Sequence, residues 1–231
     1  MNRSKLPHYA LYALYAQYAR QIRRIALAAS LASLGATAFA VPEAQFQPAF
    51  QQFIKANAGN AAAIEQAAEA FSGLVKTEPS NPVLLAYAGA SMAMKATTTM
   101  MPWKKMGYAE DGLSQLDKAL SMLNASHDAP IQHDTPGALE VKYLAANTFL
   151  AVPGFMNRHE RGTKLLGDVV NSPLFATAPL GFRGGVWIKA ANEATKANNP
   201  VEAKRYLDLI VQQQAPQATQ ALTLLKNLSA S

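Results

Sequence analysis

The feature that most constrains the fold is an apolar stripe with helical spacing that recurs along the chain. The first two stripes consist of Ala67, Phe71, Leu74 and Val75, and of Leu85, Ala88, Gly89 and Met92. Steps of three and four residues place such side chains on one face of an α-helix. Between the stripes, Asn81 is suited to cap the second helix and Pro82 to begin it. Runs that alternate apolar and polar residues are nearly absent, so the sequence predicts an all-α fold.

The same combination of small and large apolar residues returns in later segments. Matches occur at Gly112-x3-Leu116-x2-Ala119, Val141-x2-Leu144-Ala145, Gly162-x3-Leu166-x2-Val169, Trp187-x2-Ala190-Ala191-x2-Ala194 and Ala203-x3-Leu207-x2-Ile210. Small residues let the backbones of two helices approach, and large residues fill the space opposite. We therefore expect Gly89 to lie where two helices meet, with the helix that contains Gly112 as its partner.

This pattern resembles the tetratricopeptide repeat, in which W-x2-L-G-x2-Y on one helix is followed by A-x3-F and a proline on the next. The resemblance covers most of 45–217 in roughly four units. It implies a right-handed superhelix of antiparallel helix pairs, with 217–229 as a capping helix. The sequence departs from the regular repeat around 93–111, in a polar linker at 124–135 and in the turn at 152–158. In the linker, Asp134 is expected to cap the next helix.

Residues 1–40 have the composition of an export signal. The positively charged N-terminal region contains Arg20, Arg23 and Arg24, and the apolar region follows at 25–37. Ala38-Phe39-Ala40 then has the small residues of a signal-peptidase cleavage site. The apolar run of about 16 residues is shorter than the roughly 20 residues that span a membrane. The sequence therefore predicts a signal peptide at 1–40 that is cleaved, and a mature domain at 41–231 without a stable membrane span.

The signal places the mature domain in the periplasm or outside the cell. The ordinary secretory route is favoured over the twin-arginine route, because Arg23-Arg24 followed by Leu27 matches the twin-arginine motif only in part. The chain has no cysteine, which excludes disulfides, cysteine-ligated zinc and thiol catalysis. The fold must then be held by packing alone.

The positive net charge belongs to the signal. The whole chain carries 21 basic and 15 acidic residues, a net charge of +6. Residues 1–40 contain Arg3, Lys5, Arg20, Arg23 and Arg24 and no acidic residue, so the mature domain is almost neutral. The high isoelectric point is therefore no indication of a nucleic-acid partner.

In tetratricopeptide proteins the first helix of each pair lines a concave surface that binds peptides, often through Lys and Asn side chains that hold a terminal carboxylate. By that resemblance, the groove would be lined by Lys142, Asn192, Lys196, Phe149, Ala86 and Ala90. An alanine-rich second unit predicts a narrow apolar groove suited to a peptide or helix. The resemblance therefore implies a scaffold or adaptor that binds a protein or peptide partner in the cell envelope, with no cofactor.

Two other functions stay open. One is copper binding, because thioethers are soft ligands for Cu(I) and the sequence clusters Met92, Met94, Met100, Met101 and Met106, with His127 and His133 in the linker. Methionine, however, more often fills helix interfaces or forms adaptable interaction surfaces.

The second alternative is an envelope enzyme. It would need a pocket between the segments 93–111 and 152–161 that brings Trp103, Lys104, His159 and Arg161 together. The sequence lacks a G-x-S-x-G elbow, an HExxH motif, a P-loop and a dinucleotide-binding glycine pattern. This absence of motifs favours a role without catalysis.

The cleavage site generates a first prediction. Mass spectrometry of the exported protein should find Val41 as its N-terminal residue, because Ala38-Phe39-Ala40 ends an apolar run too short to span a bilayer. Peptides from residues 9–24 in the exported form would contradict cleavage there.

Overall fold

The computed structural model describes residues 41–230, and the signal predicted at 1–40 lies outside the described residues. Nine α-helices make up most of the described part, with three short 3-10 helices between them. They are α1 (Glu43–Asn57), α2 (Ala61–Thr77), α3 (Pro82–Lys95), α4 (Pro102–Ser121), α5 (Gly137–Phe149), α6 (His159–Val170), α7 (Leu180–Lys196), α8 (Pro200–Gln212) and α9 (Ala218–Ala230). No strand occurs within residues 41–230, and a single backbone bridge joins Pro130 and Pro136. The predicted all-α fold is confirmed.

Asparagines and prolines set the helix starts as the sequence indicates. The Asn81 side chain accepts hydrogen bonds from the N–H groups of Val83 and Leu84, and Pro82 is the first residue of α3. Asn199 caps α8 in the same way ahead of Pro200. These side chains satisfy amide groups that the first turn of a helix leaves without a partner.

The prediction that Asp134 caps the helix after the linker is wrong. Helix α5 begins at Gly137, and Pro136 precedes it without a side-chain cap. Proline fixes its own φ and forces the residue before it into an extended conformation, so the helix starts after Thr135-Pro136 rather than before it. Part of the linker is ordered as a 3-10 helix at Ala125–Asp128, which Asn124 and His127 cap reciprocally.

The extra residues around 93–111 lengthen a helix rather than a loop. Helix α3 ends at Lys95, and α4 begins at Pro102 and continues for 20 residues. In the turn at 152–158, a 3-10 helix at Gly154–Met156 precedes α6. Among the described helices, none has both the length and the apolar character needed to cross a bilayer.

Helix α3 lies at the centre of the described unit. Ten consecutive residues, Pro82 to Ser91, are buried, and α3 contacts α1, α2, α4 and α5. A helix that is buried on all sides needs small residues where its neighbours cross it. Along α3 these positions are occupied by Ala86, Ala88, Gly89 and Ala90.

The closest of these crossings joins α3 to α4. A Cβ atom on Gly89 would lie 2.8 Å from the carbonyl oxygen of Gly112, and a Cβ on Gly112 would lie 2.5 Å from the amide nitrogen of Ala93. Neither glycine can carry a side chain unless the two backbones separate. The expected pairing of Gly89 with the Gly112 helix is therefore confirmed.

An aromatic cluster joins α1, α2 and α3. The rings of Phe71 and Tyr87 stack with centroids 4.8 Å apart, and Phe46 approaches both edge-on at 5.7 Å and 5.5 Å. Phe53 contributes a further edge-to-face contact with Tyr87 at 4.9 Å. Each such pair adds about 0.5–1.5 kcal/mol beyond the burial of its area, so the cluster holds the first three helices together.

The Gly89 crossing supplies the second prediction. Gly89→Leu should lower the free energy of unfolding by about 1–3 kcal/mol, because added methylenes overpack a contact with no free space. Gly73→Leu is the matched control, since a Cβ on Gly73 of α2 has no neighbour within 4 Å. Urea denaturation measures the free energy of unfolding of both variants and of the wild-type protein. Equal stability of the two would mean that α3 and α4 do not approach through glycine.

Candidate binding groove

A cavity of about 930 Å³ opens along the odd-numbered helices. Most of its lining comes from α1, α3, α5 and α7, with Ala109 of α4, residues of the connections after α3 and α5, Gln217 just before α9, and Gln220 in α9. We call this cavity the groove. Its volume and largely apolar lining are typical of ligand and peptide clefts. Polar side chains in the lining are Asn57, Thr97, Glu140, Asn147, Thr148, Lys189, Asn192, Gln217 and Gln220.

Aromatic rings form much of the groove wall. Phe50, Phe53 and Tyr87 lie on the side of α1 and α3, while Tyr143 and Phe182 lie on the side of α5 and α7. Tyr143 and Phe182 pack edge-to-face with ring centroids 5.4 Å apart. Contacts between these rings fix their positions within each side of the wall.

A buried carboxyl group lies at the floor of the groove. Glu140 of α5 is only 4% exposed, and the hydroxyl of Tyr87 donates a hydrogen bond of 2.5 Å to its Oε1 atom. The other oxygen, Oε2, is buried and has no hydrogen-bond partner among the described residues. An unpaired buried polar atom costs about 1–3 kcal/mol, so a hydrogen-bond partner for Oε2 would lower the cost of burying this side chain.

The protonation of Glu140 follows from its surroundings. Burial raises the pKa of its carboxyl group from 4.5 to about 8, the hydrogen bond from Tyr87 works in the opposite direction, and the negative charge of Glu43 raises it further. Glu140 is therefore mostly protonated at neutral pH. A neutral acid whose Oε1 accepts from Tyr87 carries its proton on Oε2 and is a hydrogen-bond donor.

The two tyrosines beside it stay neutral as well. Burial, with the nearby Glu140, raises the pKa of Tyr87 well above its usual value. Burial also raises the pKa of Tyr143, although a hydrogen bond with Asn147 opposes the shift. The floor of the groove around Glu140 thus presents donors and acceptors that are mostly uncharged at neutral pH, an arrangement suited to binding an uncharged polar group.

The lysine in the groove lining is already paired. Lys189 contacts the Glu193 carboxylate at 3.0 Å, and Lys196 contacts the same carboxylate at 2.9 Å. Burial alone would raise the pKa of Glu193, but the hydrogen bonds from Lys196 and Lys189 keep it below its usual value. Because two lysines share the one Glu193 carboxylate, it compensates only part of the positive charge of Lys189.

The structure brings only part of the sequence-predicted groove set together. Ala90 and Asn192 line the groove, whereas Lys142, Lys196, Ala86 and Phe149 do not. Phe149 is fully buried in the core, where the guanidinium groups of Arg158 and Arg161 each lie 5.3 Å from its ring centroid. Lys196 is largely exposed and forms an ion pair with Glu193.

Sequence reasoning missed Glu140, Tyr87, Tyr143 and Lys189. A signal for Glu140 was present, because it lies between Leu139 and Val141 in an otherwise apolar start of α5. A charged residue inside a buried stretch is rare unless it is paired or functional. The tyrosine positions depend on which faces of α3 and α5 meet, and the helical period alone does not reveal that.

The methionine and histidine residues considered for copper lie in different settings. Met92 and Met94 are half-buried on α3, while Met100, Met101 and Met106 are exposed around the start of α4. His127 accepts a hydrogen bond from the Asn124 amide, and His133 contacts Glu43 with 3.1 Å between Nδ1 and Oε1. Within residues 41–230, no group of three or more His, Asp or Glu side chains is placed to hold a metal ion.

A smaller hollow of about 460 Å³ lies between α4 and the turn before α6. Its lining consists of Met106, Glu110, Leu113, Ser114, Asp117, Phe155, Met156 and Arg158. Trp103, Lys104, His159 and Arg161, the set considered for an enzyme, are not part of that lining. Arg161 and Arg158 instead both bind Asp117, which joins α6 and the residue before it to α4.

Comparisons of the chain with protein-family models, with curated proteins and with solved structures find no match.

The third prediction concerns Glu140 and pH. The folded state holds a proton that the unfolded chain releases above pH 4.5, so the free energy of unfolding should fall as the pH rises towards about 8 and then level off. The slope from this one group is at most about 1.4 kcal/mol per pH unit.

Urea denaturation at a series of pH values measures this dependence. Glu140→Gln keeps an oxygen that accepts from the Tyr87 hydroxyl but cannot ionise. The difference between the wild-type and variant slopes of unfolding free energy against pH therefore gives the contribution of Glu140. Identical slopes would show that Glu140 is already ionised in the folded protein.

Proposed function

We propose that this chain is an exported helical-repeat scaffold whose groove binds a peptide segment of a partner protein in the cell envelope. In this proposal the helix pairs α1–α2, α3–α4, α5–α6 and α7–α8 stack as a tetratricopeptide-like superhelix, with α9 as the capping helix. The observation that supports the proposal is that the first helix of each pair contributes side chains to one groove and that these helices supply most of its lining. Such an arrangement is typical of repeat proteins that hold extended partners.

The side chains of the groove favour a largely uncharged peptide. Aromatic and aliphatic residues supply most of the lining, and the side-chain amides of Asn57, Asn147 and Asn192 lie among them. Amide side chains can donate to and accept from a peptide backbone. Among the described residues, Lys189 is the one basic side chain in the groove lining and is ion-paired with Glu193, and Glu140 is mostly neutral, so the groove offers little to a highly charged ligand.

The proposed localisation is based on the sequence of residues 1–40. A positive front, an apolar run and a small-residue cleavage site together favour export. The absence of cysteine is compatible with an oxidising compartment, where stray disulfides would otherwise form. The partner is therefore sought among envelope or extracellular proteins.

A site-specific photo-crosslinker tests the proposal, and this is the fourth prediction. Placed at Ile54 or Asn192, which line the groove, it should join the chain to one discrete partner in intact cells. Placed at Val201, which is 79% exposed on α8 and outside the groove lining, it should not. Equal crosslinking from both kinds of position would contradict a groove-specific partner.

Paired substitutions then identify the contacts. Asn147→Ala with Asn192→Ala should weaken the crosslinked complex, since each lost hydrogen bond contributes about 0.5–1.5 kcal/mol. Lys142→Ala with Lys196→Ala removes two polar side chains outside the groove lining and should leave the complex unchanged. The reverse pattern would mean that the partner binds elsewhere.

A further inference from the structure

Exposed apolar side chains concentrate where α3 connects to α4. Met100 is 88% exposed and Trp103 is 70% exposed, and Met101 and Met106 are exposed as well. Four of the eight large apolar side chains that are exposed in the described part thus fall within seven consecutive residues. Scattered exposed apolar residues are ordinary, but a contiguous patch marks a surface that contacts something apolar.

Two lysines accompany this patch. We define the tip as Met100, Met101, Trp103, Lys104 and Lys105, at the end of the α3–α4 connection and the first turn of α4. Both lysines are exposed, and neither forms an ion pair within the described residues. The sequence has no acidic residue between Glu78 and Glu110, and the positive end of the α4 dipole adds to the lysine charge.

The tip lies outside both cavities described above. None of its five residues belongs to the lining of the groove or of the smaller hollow. An exposed cluster of Trp and Met side chains can enter a soft apolar phase without a partner of complementary shape. Lysine stems can lie along the same apolar layer while their ammonium groups reach phosphate groups at its surface.

We propose that the tip docks the protein on the surface of an anionic phospholipid membrane. Trp103, Met100 and Met101 enter the boundary between headgroups and acyl chains, where tryptophan is favoured. Lys104 and Lys105 bind the lipid phosphates. An interfacial contact of this kind combines buried apolar area with charge attraction, and the tip supplies both. This surface is separate from the groove and does not depend on its proposed partner.

The intrinsic fluorescence of Trp103 can report whether the tip binds vesicles. The chain has two tryptophans, and the other, Trp187, is only 5% exposed in the core. The full chain is mixed with vesicles of equal parts phosphatidylglycerol and phosphatidylcholine, and Trp103→Phe supplies the background signal to subtract. The Trp103 emission should shift to the blue, become protected from acrylamide and be quenched by brominated acyl chains.

The lysines are tested by charge removal. Each lysine near an anionic surface changes membrane partitioning by about five-fold, so Lys104→Gln with Lys105→Gln should raise the lipid concentration for half-maximal Trp103 shift about 25-fold. Lys55→Gln with Lys226→Gln removes the same charge at exposed positions outside the tip and is the matched control. Residues 1–40 are common to all variants, and Trp103 reports on the tip alone.

Three results would overturn the proposal. The first is that acrylamide still quenches Trp103 when anionic vesicles are present at saturating concentration. Another is an equal shift with pure phosphatidylcholine vesicles, or an equal loss in the control pair. The third concerns Trp103→Ser with Met100→Ser, whose vesicle binding is measured by co-sedimentation. If this variant still binds vesicles but loses the groove crosslink, the tip contacts a protein partner. These variants lie on an exposed surface, and a thermal melt checks that they stay folded.

Discussion

The rest of the structure depends on the burial of helix α3. Its neighbours on every side can approach only because alanine and glycine occupy the crossings, most closely where the backbone of Gly89 meets that of Gly112. The stacked rings of Phe71 and Tyr87 then fix α3 against α2. Because α3 is held in this way, Tyr87 and Ala90 are presented to the groove from a rigid element rather than from a loop.

The groove contains a feature that costs stability. A buried Glu140 with an unpaired oxygen is expensive compared with an apolar residue of similar size. Protonation limits that cost, since a neutral acid is easier to bury than a carboxylate. The protein thus keeps a neutral hydrogen-bond donor in an apolar cleft. Such a group is useful when a ligand supplies the missing acceptor, and it links the energetics of the fold to the proposed binding role.

Most of the helices could be predicted from the sequence, but the groove lining could not. Spacing of small and large apolar residues located the helices and paired Gly89 with Gly112, because helical period and backbone approach are local properties. The groove set came from resemblance, and only Ala90 and Asn192 lie in its lining. Phe149 is the type of side chain expected in an apolar groove, yet its ring is packed against the guanidinium groups of Arg158 and Arg161. Which face of each helix meets its neighbour depends on tertiary packing, and the lengthening of α4 that positions the tip depends on it as well.

Native-state hydrogen exchange measures the central claim most directly, namely that α3 organises the fold. Amides of α3 from Leu85 onwards should exchange most slowly in the protein and only through global unfolding, because four helices cover this segment. Helix α9 packs extensively only against α8 among the described helices. Its amides should therefore exchange through local opening. If α3 exchanged as fast as α9 while α7 and α8 stayed protected, the fold would be organised around a different helix and this account would be wrong.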